Sequence, residues 1–268
     1  MNISGRRILI TGAAGGIGSE LVMALAEKGA ELVLVDIDAN KLGQLKLAIR
    51  ERGGRVQVFP CDLAAPESLQ RLIRQVGDEA GPVDVLINCA GIASFGLFEQ
   101  QPVEGMELLW RINVLVPMQL TRALLPQMKA RGHGRIVNVG SVFGSIGFAY
   151  FTSYSASKFA LRGFSEALRR ELEGSGVGVT YVAPRYTRTP LNDGAVSRMA
   201  RAVGMNSDEP AVVAWHAVRA IAQEREDCYI GWPECLFVRI NALLPRLVDF
   251  ALRKQNALAR PFAIQEAE

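Results

Sequence analysis

The chain is short of the residues that build metal cages and disulfide frameworks: among its 268 residues only four are cysteine and two are histidine. Cys61, Cys89, Cys228 and Cys235 contain no Cys-x-x-Cys pair, and His133 and His216 stand alone, so neither a metal nor a disulfide set is expected. The cysteines read as reduced, mostly buried thiols. Long apolar runs are missing too. No stretch of about 18 apolar residues is present to span a membrane, and Met1-Asn2-Ile3-Ser4-Gly5-Arg6-Arg7 leads into a short strand rather than a signal sequence. A cytoplasmic location is therefore expected. A strong charge of one sign is also lacking: the net charge of +3 argues against nucleic acid as the main partner. No Pro-, Gly- or Ser-rich linker and no internal repeat divides the chain, which favours one domain.

What is present is a composition 49% apolar and 21% charged, enough to bury a full core. Short apolar runs alternate with amphipathic stretches, which predicts a parallel sheet covered on both faces. Strands are expected near Ile8–Thr11, Glu31–Val35, Val56–Phe59, Val83–Asn88, Arg135–Gly140, Val177–Ala183 and Cys228–Gly231. This is an α/β, doubly wound parallel sheet of the Rossmann type, with about seven strands and ligands at the strands' carboxyl ends.

The first strand runs into Thr11-Gly12-Ala13-Ala14-Gly15-Gly16-Ile17-Gly18, then a helix whose Ile17, Leu21, Ala24 and Leu25 keep helical period. Glycines there let backbone approach a pyrophosphate, and the helix start offers free N–H groups and partial positive charge. The second strand ends at Asp36, where a carboxylate accepts from adenosine ribose hydroxyls. A 2′-phosphate would be repelled, and neither Ala13, Ala14 and Gly15 nor Ile37 supplies a cation to offset it. NAD(H) is therefore expected over NADP(H).

In Tyr154-Ser155-Ala156-Ser157-Lys158 the phenol and the ammonium project from one helix face, one turn apart. The cation is expected to lower the phenol below its ordinary pKa of about 10, towards the range where it can shuttle a proton. Upstream, a helix is expected from Gly105 to Lys129, with Asn113 four residues before Pro117. Proline cannot donate to that carbonyl, which leaves it for a water at a local kink. Ser141 stands at the end of the fifth strand, thirteen residues before Tyr154. A serine-nucleophile reading fails because His133 lies in a Gly-His-Gly turn at the other end of that strand.

Together these segments resemble the short-chain dehydrogenase/reductase family, over residues 5 to 232. The resemblance implies that Tyr154 is the general acid/base, Lys158 tunes it and holds the nicotinamide ribose, Ser141 orients the substrate oxygen, and Asn113 anchors a proton-relay water. It also assigns Gly12, Gly16, Ile17 and Gly18 to the cofactor turn, Asp62 and Leu63 to the adenine, and Asn88, Ala90 and Gly91 to the segment after the fourth strand. Pro184, Thr187 and Thr189 fall to the nicotinamide end. Cys89 stands where the family has a second asparagine, and Arg185 where it has a glycine. The implied activity is hydride transfer between NAD(H) and a secondary alcohol or ketone. The alternatives are an NADPH-dependent 3-oxoacyl reductase-like enzyme and a non-catalytic dinucleotide-binding regulator. A nucleotide-sugar epimerase would need a longer C-terminal substrate domain. The resemblance further implies a homo-oligomer, a dimer or tetramer packed through the helices of Asn113 and Tyr154.

Phe95, Phe143, Phe148 and Phe151, with a lid from Leu191 to Asp208 that keeps helical spacing at Val196, Met199 and Val203, suggest an apolar pocket. Gly194 and Gly204 would serve as its hinges. Arg185 and Arg188 read either as solvated loop residues or as a site for an anionic substrate tail. Residues 1–234 form the expected catalytic domain and residues 235–268 a C-terminal extension. Within 235–260, five basic groups stand against Asp249, a balance of +4, so the rest of the chain sums to −1. Leu236, Ile240, Leu243, Leu247 and Phe250 recur there at helical spacing, with a bend near Pro245. Such a stripe either docks on the protein or rests on an anionic membrane.

Overall fold

A computed structural model describes residues 1–264. Seven parallel strands, β1 (Arg7–Thr11), β2 (Glu31–Asp36), β3 (Arg55–Pro60), β4 (Val85–Asn88), β5 (Gly134–Val139), β6 (Val177–Ala183) and β7 (Asp227–Tyr229), lie in the order β3-β2-β1-β4-β5-β6-β7. The helices are α1 (Gly16–Glu27), α2 (Ala39–Glu51), α3 (Pro66–Gln75), α4 (Val103–Trp110), α5 (Val116–Arg131), α6 (Thr152–Glu171), α7 (Ala195–Ala202), α8 (Pro210–Ala222), α9 (Glu234–Leu243) and α10 (Pro245–Ala263).

Strands this apolar are buried on both faces, and their side chains alternate between two cores. Ile8, Ile10, Leu32 and Leu34 join the core under α1 and α8, whereas Leu9, Val33 and Val35 join the one under α3, α5 and α6. Each fully buried aliphatic side chain contributes roughly 1.5–3 kcal/mol before chain entropy is counted. The strand order reverses at β1, whose register sets Thr11 against Val35 on one side and Asn88 on the other. Three strand ends that carry sequence-predicted residues thus meet at the switch point.

The expected helix around Asn113 forms, but in three parts: α4, a π-helical turn over Arg111–Leu115, and α5. Within the turn the Val116 N–H bonds five residues back, to the Arg111 carbonyl. A wider turn immediately before Pro117 is how this helix absorbs a proline that cannot donate.

The C-terminal extension docks on the body, but of the predicted stripe only Ile240 joins the packed cluster. Val238, Val248 and Leu252 pack with Val142 and Ile146, and Ala259 and Phe262 pack with Val196 and Met199 of α7. Leu243, Leu247 and Phe250 remain exposed. The reason is the break at Leu244, whose non-helical backbone (φ −133°, ψ 62°) separates α9 from α10, so one helical phase cannot run through both. Among the described residues, no helix is long and apolar enough to cross a membrane.

Candidate active site

The cofactor end begins where β1 turns into α1. Gly12 has φ +66°, and a Cβ on it would lie 2.7 Å from the backbone of Ala90. On Gly18 a Cβ would lie 1.9 Å from the Gly12 carbonyl oxygen, so the turn closes against any side chain. Gly15 caps α1 without a side-chain bond, which leaves the first-turn N–H groups and the partial positive charge of the helix to the cleft beside them. Asp36 accepts from the Ala14 N–H at 2.9 Å and the Asp38 N–H at 3.1 Å, which fixes its carboxylate at the rim.

The cleft there, of about 660 Å³, is lined by Gly12, Gly16, Ile17, Gly18, Asp36, Asp62, Leu63, Ala90, Gly91 and Thr189, as expected. Bare glycine backbone at a helix start, an anchored carboxylate and an apolar slot formed by Leu63 and Ile92 fit a dinucleotide. Five expected contacts are not among its lining residues: Tyr154 and Lys158, described below, and Asn88, Thr187 and Pro184. Asn88 is buried and donates to the Asn138 side chain at 2.8 Å, Thr187 is buried with its hydroxyl on the Arg185 carbonyl at 3.0 Å, and the Pro184 carbonyl accepts from the Val142 N–H. All three hold the cleft's framework instead. A further correction concerns charge: Lys41 does stand on the cleft wall, where its ammonium meets Asp38 at 3.3 Å.

At the other end of the sheet edge, Asn113, Ser141, Tyr154 and Lys158 come together. Asn113 bonds the backbone of Ile92 at both ends, at 2.9 and 3.0 Å, and donates to the Ser157 hydroxyl at 3.0 Å. A Cβ on Gly91 would lie 3.3 Å from Asn113 Oδ1 and 3.5 Å from Lys158 Nζ, so the cofactor loop runs against both. Lys158 Nζ donates to the Val139 carbonyl at 3.1 Å and lies 5.7 Å from the centre of the Tyr154 ring.

The expected depression of the Tyr154 pKa does not occur in the protein alone. Burial pushes the phenol up to about 12, with the Ser141 hydroxyl pulling the other way. The same burial pushes Lys158 down to about 8. Desolvation outweighs the cation because the ammonium sits by the ring and on a carbonyl, not at the hydroxyl. A phenol that keeps its proton at neutral pH is in the state needed to protonate the oxygen of a ketone.

Sequence reasoning missed Tyr181. Its hydroxyl donates to the Ser141 carbonyl at 3.1 Å and accepts from the Ser141 N–H at 3.3 Å. Space for it comes from Gly140 and Gly144, where a Cβ would lie 2.2 and 2.3 Å from that oxygen. The Gly140-x-x-x-Gly144 spacing around Ser141 was the available signal.

Ser141 and Tyr154 open into a second cavity of about 370 Å³, walled by Phe143, Phe148, Phe151, Tyr186, Val196 and Met199 and closed by Phe237 and Leu252 of the extension. Phe95 packs behind Phe151, with ring centres 4.9 Å apart. The predicted lid forms as α7, flanked by Gly194 at φ +68° and Gly204 at φ +67°. Arg185 is taken up by Asp208 and Glu234, each at 2.9 Å, whereas Arg188 is a solvated loop residue that pairs at the surface with Glu209.

Comparison with known proteins agrees with this arrangement. The profile of the family described as short chain dehydrogenase matches residues 6–200. A ketoacyl reductase of Nostoc is 40% identical over 69% of this chain and 64% of its own length. A 3-dehydrosphinganine reductase of Danio rerio is 37% identical over 71% of this chain and 59% of its own, so the match spans under two thirds of both relatives. A short-chain dehydrogenase from Sphingobium yanoikuyae, solved with NADPH, superimposes with a TM-score of 0.78 at 28% identity, covering 98% of each chain. The chain belongs to the short-chain dehydrogenases.

Proposed function

We propose that the protein is an NAD(H)-dependent oxidoreductase that interconverts a secondary alcohol and a ketone of apolar character. The observation that carries this reading is that Ser141 and Tyr154 open into one aromatic-walled cavity while Lys158 and Asn113 stand against the glycine edge of the cofactor cleft. The Ser141 hydroxyl holds the substrate oxygen, and the protonated Tyr154 gives its proton to that oxygen in reduction or takes it back in oxidation. Lys158, buried and anchored on Val139, offers its remaining N–H groups to the ribose side. A nicotinamide bound beside them supplies or accepts the hydride at its C4.

The two relatives named above are both reductases of keto compounds, which supports the ketone as substrate. The Sphingobium neighbour holds NADPH, and Lys41 puts a cation on the cleft wall that Asp36 and Ile37 also line. Against that, Lys41 is already paired with Asp38, and two backbone N–H groups hold the Asp36 carboxylate at the cleft rim, so NAD(H) is preferred in this reading. The 3-oxoacyl reductase-like alternative is the one Lys41 favours.

Tyr154→Phe tests the reading. Turnover of an identified ketone should fall by about 100-fold to 10,000-fold, while NADH binding survives and stays tighter than NADPH binding. Near wild-type turnover would remove Tyr154 from the chemistry, and tighter NADPH would remove the role given to Asp36. Turnover at all rules out the non-catalytic regulator.

A homo-oligomer is part of the proposal, supported by an apolar groove along α5 and α6 formed by Leu115, Met118, Leu125 and Phe164. Light scattering that finds only the monomer mass at micromolar concentration would count against it. We place the enzyme in the cytoplasm, a location that suits its four unpaired cysteines and that cell fractionation checks.

A further inference from the structure

The C-terminal arm has two faces. One packs on the body through Val238, Val248, Leu252 and Ala259. The other carries large apolar side chains into solvent: Leu243 is 81% exposed, Phe250 67% and Leu247 55%. Along α10, Leu247, Phe250, Ala251, Lys254 and Leu258 recur at three- and four-residue steps, so they share the outer side of the helix. Arg246 and Arg253 flank that sector, and the guanidinium of Arg253 lies 5.5 Å from the centre of the Phe250 ring. Asp249, 3.5 Å from Arg246, is the acidic residue among them.

We propose that this outer face of α9 and α10 is a peripheral docking surface for an anionic lipid bilayer. An exposed apolar sector bordered by arginine and lysine stems is the pattern that inserts at the headgroup boundary, with the basic flank drawn to anionic headgroups. A second copy of the chain suits it less well. A two-fold contact would lay this basic patch against the same basic patch of the partner. The inner face of the same arm supplies Phe237, Leu252 and Gln255 to the substrate pocket, so docking would bring the pocket wall to the lipid. That use rests on the proposed activity, whereas the docking itself does not.

The test uses the full chain, with vesicles of phosphatidylcholine alone or mixed with phosphatidylserine, sedimented at low and high salt. The protein should pellet with the serine-containing vesicles at low salt, and high salt should release it. Leu247→Ser with Phe250→Ser, and separately Arg246→Gln with Arg253→Gln, should each weaken binding by about tenfold or more. Neither pair lines the pocket, so turnover of a water-soluble ketone should be unchanged and reports intact folding. The proposal is overturned if the wild type stays in the supernatant at low salt, or if the serine pair binds as well as wild type. It is also overturned if the serine pair instead dissociates an oligomer that never binds vesicles. Absence of ketone turnover in every variant would count against the proposed activity and leave the vesicle result readable.

Discussion

Arg185 grips both carboxylate oxygens of Asp208, with Nε 3.0 Å from Oδ2 and Nη2 2.9 Å from Oδ1. Its third nitrogen donates to Glu234 at 2.9 Å and to the Trp232 carbonyl at 3.1 Å. This fork joins the loop after β6, the approach to α8 and the start of α9, three segments distant in sequence. Gly231 gives it room, since a Cβ there would lie 2.5 Å from the Arg185 side chain. Glu234 and Arg185 both line the substrate cavity, so the clamp ties the extension to the body at the pocket's mouth.

Arg185→Met should therefore do two things. It leaves two largely buried carboxylates without their cation, a loss on the order of 3 kcal/mol. It also frees the start of α9, so the KM for a bulky apolar ketone should rise about tenfold while kcat for a small ketone changes little. Arg185→Lys keeps the charge but not the fork, and should recover part of the stability without the KM. Thermal melts and steady-state kinetics on both ketones read these effects. An unchanged KM in Arg185→Met would mean that the clamp holds the fold and does not shape the pocket.

Tyr181→Phe removes a hydroxyl that bonds the Ser141 backbone on both sides. About 1 kcal/mol of stability goes with each bond. The larger expectation is kinetic: Ser141 loses the support that aims its hydroxyl, and kcat should fall by roughly tenfold to a hundredfold. NADH affinity should be unaffected, because Tyr181 does not touch the cofactor cleft. Equal losses of kcat and NADH affinity would indicate a general loosening of β5 and β6 rather than a role in positioning Ser141.

Local pattern carries the sheet, the glycine turn and the grouping of Asn113, Ser141, Tyr154 and Lys158, because strand burial, tight turns and one-turn helix spacing are written within a few residues of one another. What it could not carry depends on distant partners. Tyr181 reaches Ser141 only through the register of β5 against β6, which sets Asn138 beside Tyr181. The carboxylates that neutralise Arg185 lie 23 and 49 residues further on. Apolar spacing makes the C-terminal stripe look continuous because a backbone break at Leu244 leaves no mark in it, even though Pro245 locates the bend. The Tyr154 pKa rises rather than falls for a similar reason: the sequence shows the cation four residues on, and it does not show the depth of burial.

Lys158 offers a measurement of that burial. Its folded pKa, pushed down to about 8 from 10.5, means that between those values the unfolded chain binds the proton and the folded chain does not. Stability should therefore rise as the pH climbs through that window, with the cost of burying the ammonium fully present below it. At about 1.4 kcal/mol per pKa unit, the gain amounts to roughly 3 kcal/mol. Tyr154 acts in the opposite sense at higher pH: raised to about 12 from 10, it holds its proton when folded and lowers stability as the pH rises above 10. Lys158→Met removes the first effect and keeps most of the packing. The wild type's melting temperature should gain on this variant with each step of pH across the window from 8 to 10.5. Parallel curves would mean that the amine is solvated in the folded protein, and that its proximity to the cofactor edge carries no electrostatic cost.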